Sequence, residues 1–212
     1  AKSAMFPFHS WLIWAMAGPT PVSSLLHSAT LVTSSYVILY HLFSFYVSYF
    51  PVLFFFTYCL VNLIFGSLFS IFSLDIKKLI AYSTMSQISL ILVMFSLSPN
   101  FTYLYFCSHG FVKSSLFMSV GFIYHYLIGQ DIRSSSGSYL SISFYYLGLF
   151  FCCFYLSSSP FSILFIVKDY LVDTSFVYFD SFSLIILILF NYAIFLTTIY
   201  SFFILLILFG TP

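Results

Sequence analysis

From Pro51 to Phe72, and again from Ser181 to Phe209, no residue carries a charge. Stretches of about twenty apolar residues are long enough to cross the ~30 Å hydrocarbon core of a bilayer as a helix. In lipid every backbone N–H and C=O must be satisfied inside the protein, which leaves helices or closed barrels. Barrel strands alternate polar and apolar residues, and these runs do not alternate. The chain therefore reads as an all-α, polytopic membrane protein. Composition agrees, since the 212 residues are 62% hydrophobic and 5% charged, unlike any soluble domain. A net charge of +1 leaves no electrostatic footprint for nucleic acid. Cys59, Cys107, Cys152 and Cys153 lie in apolar runs without a C-x-x-C, so neither a zinc site nor a disulfide scaffold is suggested.

Punctuation divides the chain into about six full spans plus a half-helix. Residues 1–17 read as the second half of a broken helix, with Pro7 near its start. Gly18-Pro19-Thr20-Pro21 then suits a turn and a helix start. Residues 21–128 predict four transmembrane helices, one of which starts after Asp75 as N-cap. Residues 139–172 are too long for one ideal span. Ser157-Ser158-Ser159-Pro160 should break them into two half-helices, which is tolerated at membrane depth only when buried in protein or beside water. Residues 181–209 form the last span. Residue 1 already reads as lying within an apolar helix, with no initiator Met, so the upstream part is expected either to have been removed or to lie on another polypeptide.

Loop charge predicts an orientation. Lys77 and Lys78 fall in one loop and Arg133 in another on the same side. The opposite loops, Ser44–Tyr49 and Leu97–Asn100, have neither Lys nor Arg, and the loop after residue 172 is acidic through Asp173 and Asp180. The positive-inside rule places the Lys77–Lys78 and Arg133 loops in the matrix or cytoplasm.

Few ionisable groups remain within the spans: Lys2, His9, His27, His41, His109, Lys113, His125, Lys168 and Asp169. Such groups are costly in a membrane and are functional candidates by default. His109 and Lys113, four residues apart, share a helix face. Lys168 lies eight residues past Pro160, well inside the second half of the broken span. Broken helices bring helix-dipole ends and water to the midplane, where ion sites occur. Lys2, near the start, competes with simple snorkelling. His41 and His125 sit near span ends and suit the interface. No two His residues stand at metal-ligand spacing, and Lys is a poor ligand. No phosphate loop, nucleophile elbow or carboxylate pair is visible, and Glu is absent altogether. Lys and His can both hold and release protons, as relay groups must.

Several of these stretches resemble a known family. Lys2–Leu12, Ala15–Ser23 and Leu26–Thr33 closely resemble the subunit 5 family of mitochondrial NADH dehydrogenase (complex I), and Asp75–Gln87 is similar to a further signature. Ser108-His109-Gly110-Phe111-Val112-Lys113 is similar to its T-H-A-F-F-K, and Gln130–Arg133, Lys168-Asp169 and Thr198–Ser201 continue the register. Ile13 and Tyr105 depart from it, standing where a Pro and a further His are usual, and the Gly-rich stretch after Arg133 is reduced to Ser134–Gly137.

The resemblance implies the antiporter-like fold, built of inverted repeats that each carry a discontinuous helix with a functional Lys. It makes Lys2 the first-repeat Lys, places His27, His109 and Lys113 on a central hydrophilic axis, and makes Lys168 the second-repeat Lys with Asp169 beside it. The chain would then run from part of the seventh helix to about the thirteenth. The implied function is proton translocation in the membrane arm of complex I, in the mitochondrial inner membrane. NADH, FMN, iron–sulfur clusters and ubiquinone would all be handled by other subunits, with no cofactor or metal on this chain. Implied partners are the adjacent antiporter-like subunit 4, a chain supplying the first half of the fold with its Glu, and lipid. A cation/proton antiporter subunit and a non-pumping scaffold remain as alternatives.

Overall fold

The computed structural model describes residues 1–42, 52–126, 143–178 and 184–209. Its helices are α1 (Ser10–Trp14), α2 (Thr20–Ser24), α3 (Ser34–His41), α4 (Val52–Phe72), α5 (Ile76–Leu97), α6 (Pro99–Tyr126), α7 (Ser143–Leu156), α8 (Ile163–Tyr178) and α9 (Leu184–Phe209). No strand occurs among the described residues. Leu53–Phe72, Ile76–Leu97 and Leu184–Leu206 are long and apolar enough to cross a membrane. The 28-residue α6 has the length as well, but its His, Lys and Ser residues lower its hydropathy.

The most polar of the three apolar spans is the one the others surround. Within its membrane-length window α5 is 89% buried, against 44% for α4 and 33% for α9. Ser83, Thr84, Ser86, Gln87 and Ser89 of α5 are all fully buried. Lipid offers such groups no partner, so a helix that carries them is most stable inside the bundle. Its hydroxyls are satisfied along the helix itself: Ser83 donates to the Ile80 carbonyl at 2.7 Å and Ser86 to the Ser83 carbonyl at 2.9 Å. Small residues let α4 approach closely, as is usual between membrane helices. Gly66 lies so near α5 that a Cβ there would sit 2.9 Å from the Ser86 nitrogen. The outer faces carry Phe54, Phe69, Phe111, Phe151, Ile185, Phe195 and Leu206, all exposed, as lipid-facing surfaces require.

The start of the chain differs from the expected half-helix. Residues 2–9 form turns, and helix begins only at Ser10. The cause lies on α4. Asn62 accepts the Phe6 N–H at 2.6 Å, and the Tyr58 hydroxyl donates to the Phe6 carbonyl. Both backbone groups that a helix would use are thus taken, and Pro7 has no N–H to offer. A 3-10 turn, Ala15–Ala17, leads to Gly18, and Pro19 is extended at φ −64°, ψ 147°. Pro21 then stands in the first turn of α2, where a missing N–H costs nothing.

The next span is not one regular helix. A π-helical turn, Leu25–Thr30, separates α2 from α3. Leu31 donates back five residues to the Leu26 carbonyl at 3.0 Å. The expected break in residues 139–172 falls between Leu156 and Ile163. Pro160 supplies no N–H, and the Ser162 hydroxyl restarts the helix by accepting the Phe165 N–H at 3.1 Å, a normal N-cap bond. The second half extends further than expected, so Asp173 lies in α8 rather than in a loop. Its side chain is exposed there, which lets the helix carry a carboxylate without burying it. Asp75 stands at the N-cap position of α5 but makes no capping bond; its carboxylate pairs with Lys78 instead. The Ser44–Tyr49 loop, Gln130–Arg133, Ser134–Gly137 and Asp180 lie outside the described residues.

Candidate functional site

Tyr105, His109 and Lys113 recur every four residues along α6, which puts them on one stripe. All three are fully buried. The Lys113 ammonium donates to the Ser83 hydroxyl on α5. It also lies 5.8 Å from the centroid of the Tyr200 ring on α9, within cation–π range. Gln87, one turn along α5 from Ser83, spans two phenols. Its Oε1 accepts from the Tyr105 hydroxyl, and its Nε2 donates to the Tyr200 hydroxyl.

Lys168 is held by the broken helix and by α9. Its Nζ donates to the Leu156 carbonyl at 3.3 Å and to the Thr197 hydroxyl at 3.1 Å. Leu156 is the last residue of α7, where the break frees carbonyls from helical bonding. The negative end of that helix dipole favours a cation. The break is therefore what gives Lys168 its acceptor. Thr197 and Tyr200 are three residues apart on one face of α9, so this helix touches both buried lysines.

The other sequence-derived candidates are placed differently. His27 is buried on the π-helical turn, with its ring 5.9 Å from that of Trp11. Its Nδ1, like both nitrogens of His109, makes no hydrogen bond with the described residues. Lys2 is exposed in the N-terminal turn, apart from the buried group, and Asp169 is exposed although its neighbour Lys168 is buried. The structure thus brings Lys113 and Lys168 to α9, with His109 one turn from Lys113 on α6. It leaves Lys2 and Asp169 outside. The residues that contact the lysines, Ser83, Thr197 and Tyr200, and Gln87 between the two tyrosines, carry no local sequence mark as site residues. Tyr200 is one tyrosine among 18; the available signal was its spacing from Thr197.

The NADH:quinone oxidoreductase/Mrp antiporter transmembrane family matches residues 1–207. The chain belongs to this family. It is 36% identical over 203 residues to NADH-ubiquinone oxidoreductase chain 5 of Caenorhabditis elegans, covering 95% of this chain and 38% of that protein. The protein of the same name from Apis mellifera ligustica is 37% identical over 195 residues, covering 87% of this chain and 34% of that one. The chain thus spans somewhat over a third of the length of these relatives. Among solved structures, an archaeal membrane-bound sulfane sulfur reductase matches with a TM-score of 0.83 at 20% identity, over 97% of this chain and 43% of the other. The Mrp complex from Dietzia sp. DQ12-45-1b matches with a TM-score of 0.83 at 26% identity, over 96% of this chain and 23% of the other. The chain shares the antiporter-like fold of this family.

Proposed function

We propose that this chain is part of a proton-translocating membrane-arm subunit of respiratory complex I in the mitochondrial inner membrane. One observation carries the reading. Two lysines are buried among apolar helices, each held by neutral groups, and α9 touches both. Burying a cation is costly, and a structural role would be served as well by an apolar side chain. The contacts that hold these lysines are hydroxyls, a carbonyl and an aromatic face. A charge that moves nearby changes their proton affinity without first breaking an ion pair. Lys113 and Lys168 are then stations for a proton, Ser83 and Thr197 orient their ammoniums, and Tyr200 lies against Lys113 one turn from Thr197. His109, one turn from Lys113, supplies a third exchangeable group.

Redox energy would come from other subunits, which would handle NADH, FMN, iron–sulfur clusters and ubiquinone. The relatives named NADH-ubiquinone oxidoreductase chain 5 support this assignment. Partners would be an adjacent antiporter-like subunit, the segment that carries the first half of the fold, and lipid. The likeness to an Mrp complex favours one alternative, a cation/proton antiporter. Co-purification separates the two, because a complex I subunit comes with flavin and iron–sulfur proteins and an antiporter subunit does not.

The relay is tested by Lys168→Met in the assembled complex, reading protons moved per electron alongside NADH oxidation. A lowered ratio in a fully assembled complex is expected. A wild-type ratio would refute the role of Lys168.

A further inference from the structure

Gln87 occupies an unusual place in the buried polar row. Both ends of its carboxamide are engaged, one by Tyr105 and the other by Tyr200, and the residue is fully buried. A phenol, an imidazole or a carboxyl group can accept a proton at one position and release another elsewhere. A carboxamide can do so only by becoming an imidic acid, a high-energy tautomer. Turning the amide over exchanges its donor and acceptor but leaves it equally unable to conduct. Tyr105 has a single O–H, and that proton is committed to Gln87 rather than to His109 one turn away on α6.

Beyond Tyr105 the polar groups continue toward the N-terminal end of α6. Thr102, fully buried, donates to the Pro99 carbonyl at 2.5 Å, and the buried Tyr36 donates to the same carbonyl at 3.4 Å. From Tyr105 to the first residue of α6 is six residues, or about 9 Å of helix. A conducting side chain at position 87 would therefore give the lysine row a short exit to that end.

We propose that Gln87 is a non-conducting link that closes the buried polar row at its Tyr105 end, so that Lys113 exchanges protons with Lys168 by way of α9 and not with the α6 N-terminus. Gln87 is then a positioning residue, acting through the two tyrosines. The inference rests on the proton-relay reading above. Replacing the amide by a carboxyl group, Gln87→Glu, opens the link. The carboxyl oxygen takes the Tyr105 proton while its hydroxyl gives one to Tyr200. Tyr105 regains a proton from water at the α6 end, and Tyr200 releases its own to Lys113 in its neutral form, whose amine lies over the Tyr200 ring.

The test uses assembled wild-type and variant complexes in liposomes, without substrate, under an imposed pH gradient followed with an entrapped pH dye. Gln87→Glu is expected to raise passive proton leak on the order of tenfold or more, while Gln87→Met, similar in size and unable to conduct, stays as tight as wild type. In a Lys113→Met background the Gln87→Glu leak is expected to disappear. A Gln87→Glu complex as tight as wild type overturns the inference. So does a Gln87→Met complex that leaks equally, since that marks a packing defect. A Gln87→Glu leak that persists without Lys113, with Gln87→Met tight, supports Gln87 as the closure and overturns the relay through Lys113. A further variant does not depend on a buried acid. Thr102 lies beyond the closure and outside the site, so Thr102→Val is expected to keep the wild-type ratio of protons to electrons. A fall in that ratio overturns the inference.

Discussion

The close approach of α4 to α5 gives a quantitative expectation. A Cβ added at Gly66 would lie 2.9 Å from the Ser86 nitrogen and 3.1 Å from both its Cα and Cβ. Carbon atoms in favourable contact are separated by about 3.5–4.0 Å, so Gly66→Ala leaves a deficit of roughly half an ångström. Two of the three atoms met are backbone, which cannot rotate away. α4 must therefore move off α5, the partner with which it packs most extensively. Overpacking of this kind costs about 1–3 kcal/mol, minus up to about 1 kcal/mol that alanine gains over glycine within a helix. A net loss of up to about 2 kcal/mol is expected, about 1–3 kcal/mol below a Gly→Ala change that meets nothing. It should appear as earlier release of this subunit when the solubilised complex is titrated with denaturing detergent. Gly148→Ala is the control, because nothing lies within 4 Å of its added Cβ; it should be neutral or slightly stabilising. Ser86→Gly, which removes one of the three close atoms, should restore only part of the Gly66→Ala loss. A Gly66→Ala complex as stable as Gly148→Ala would refute the packing argument.

Other changes have equally direct readouts. Asn62→Leu removes the acceptor of the half-buried Phe6 N–H, costing about 1 kcal/mol, and should increase protease cleavage within residues 1–9; unchanged cleavage would show that α4 does not hold that turn. Ser162→Ala removes the hydroxyl that restarts α8, costing about 1 kcal/mol, and should speed backbone hydrogen exchange at Phe165. Thr197→Val takes one of two acceptors from Lys168 and should lower proton transfer while leaving assembly intact, with Thr197→Ser recovering it. Single cysteines placed beside Lys77 and Lys78 should react with an impermeant thiol reagent only from the matrix side; labelling from the other side would reverse the orientation.

Features encoded by neighbouring residues were legible in the sequence, and those made by distant partners were not. The break after Leu156 is written into Ser157-Ser158-Ser159-Pro160, and the start of α2 into Pro19 and Pro21. His109 and Lys113 share a face because four residues separate them. The N-terminal turn was missed because its causes, Tyr58 and Asn62, stand 52 and 56 residues from Phe6. The extension of α8 through Asp173 was missed because a carboxylate usually marks a loop here, whereas this one points out of the bundle. Gln87 and Tyr200 meet across 113 residues, and nothing local to either distinguishes it from a packing residue. The π-helical turn at His27 has no evident local cause in Leu25–Thr30.

The central claim is that Lys113 and Lys168 belong to one proton row joined along α9. The direct measurement is the proton-to-electron ratio of assembled complexes in vesicles for Lys113→Met, Lys168→Met and the double variant. Groups that act as a unit give non-additive losses. The account predicts that each single variant lowers the ratio and that the double variant is no worse than the more damaged single one. Losses that add in the double variant would mean two independent paths, and would contradict it.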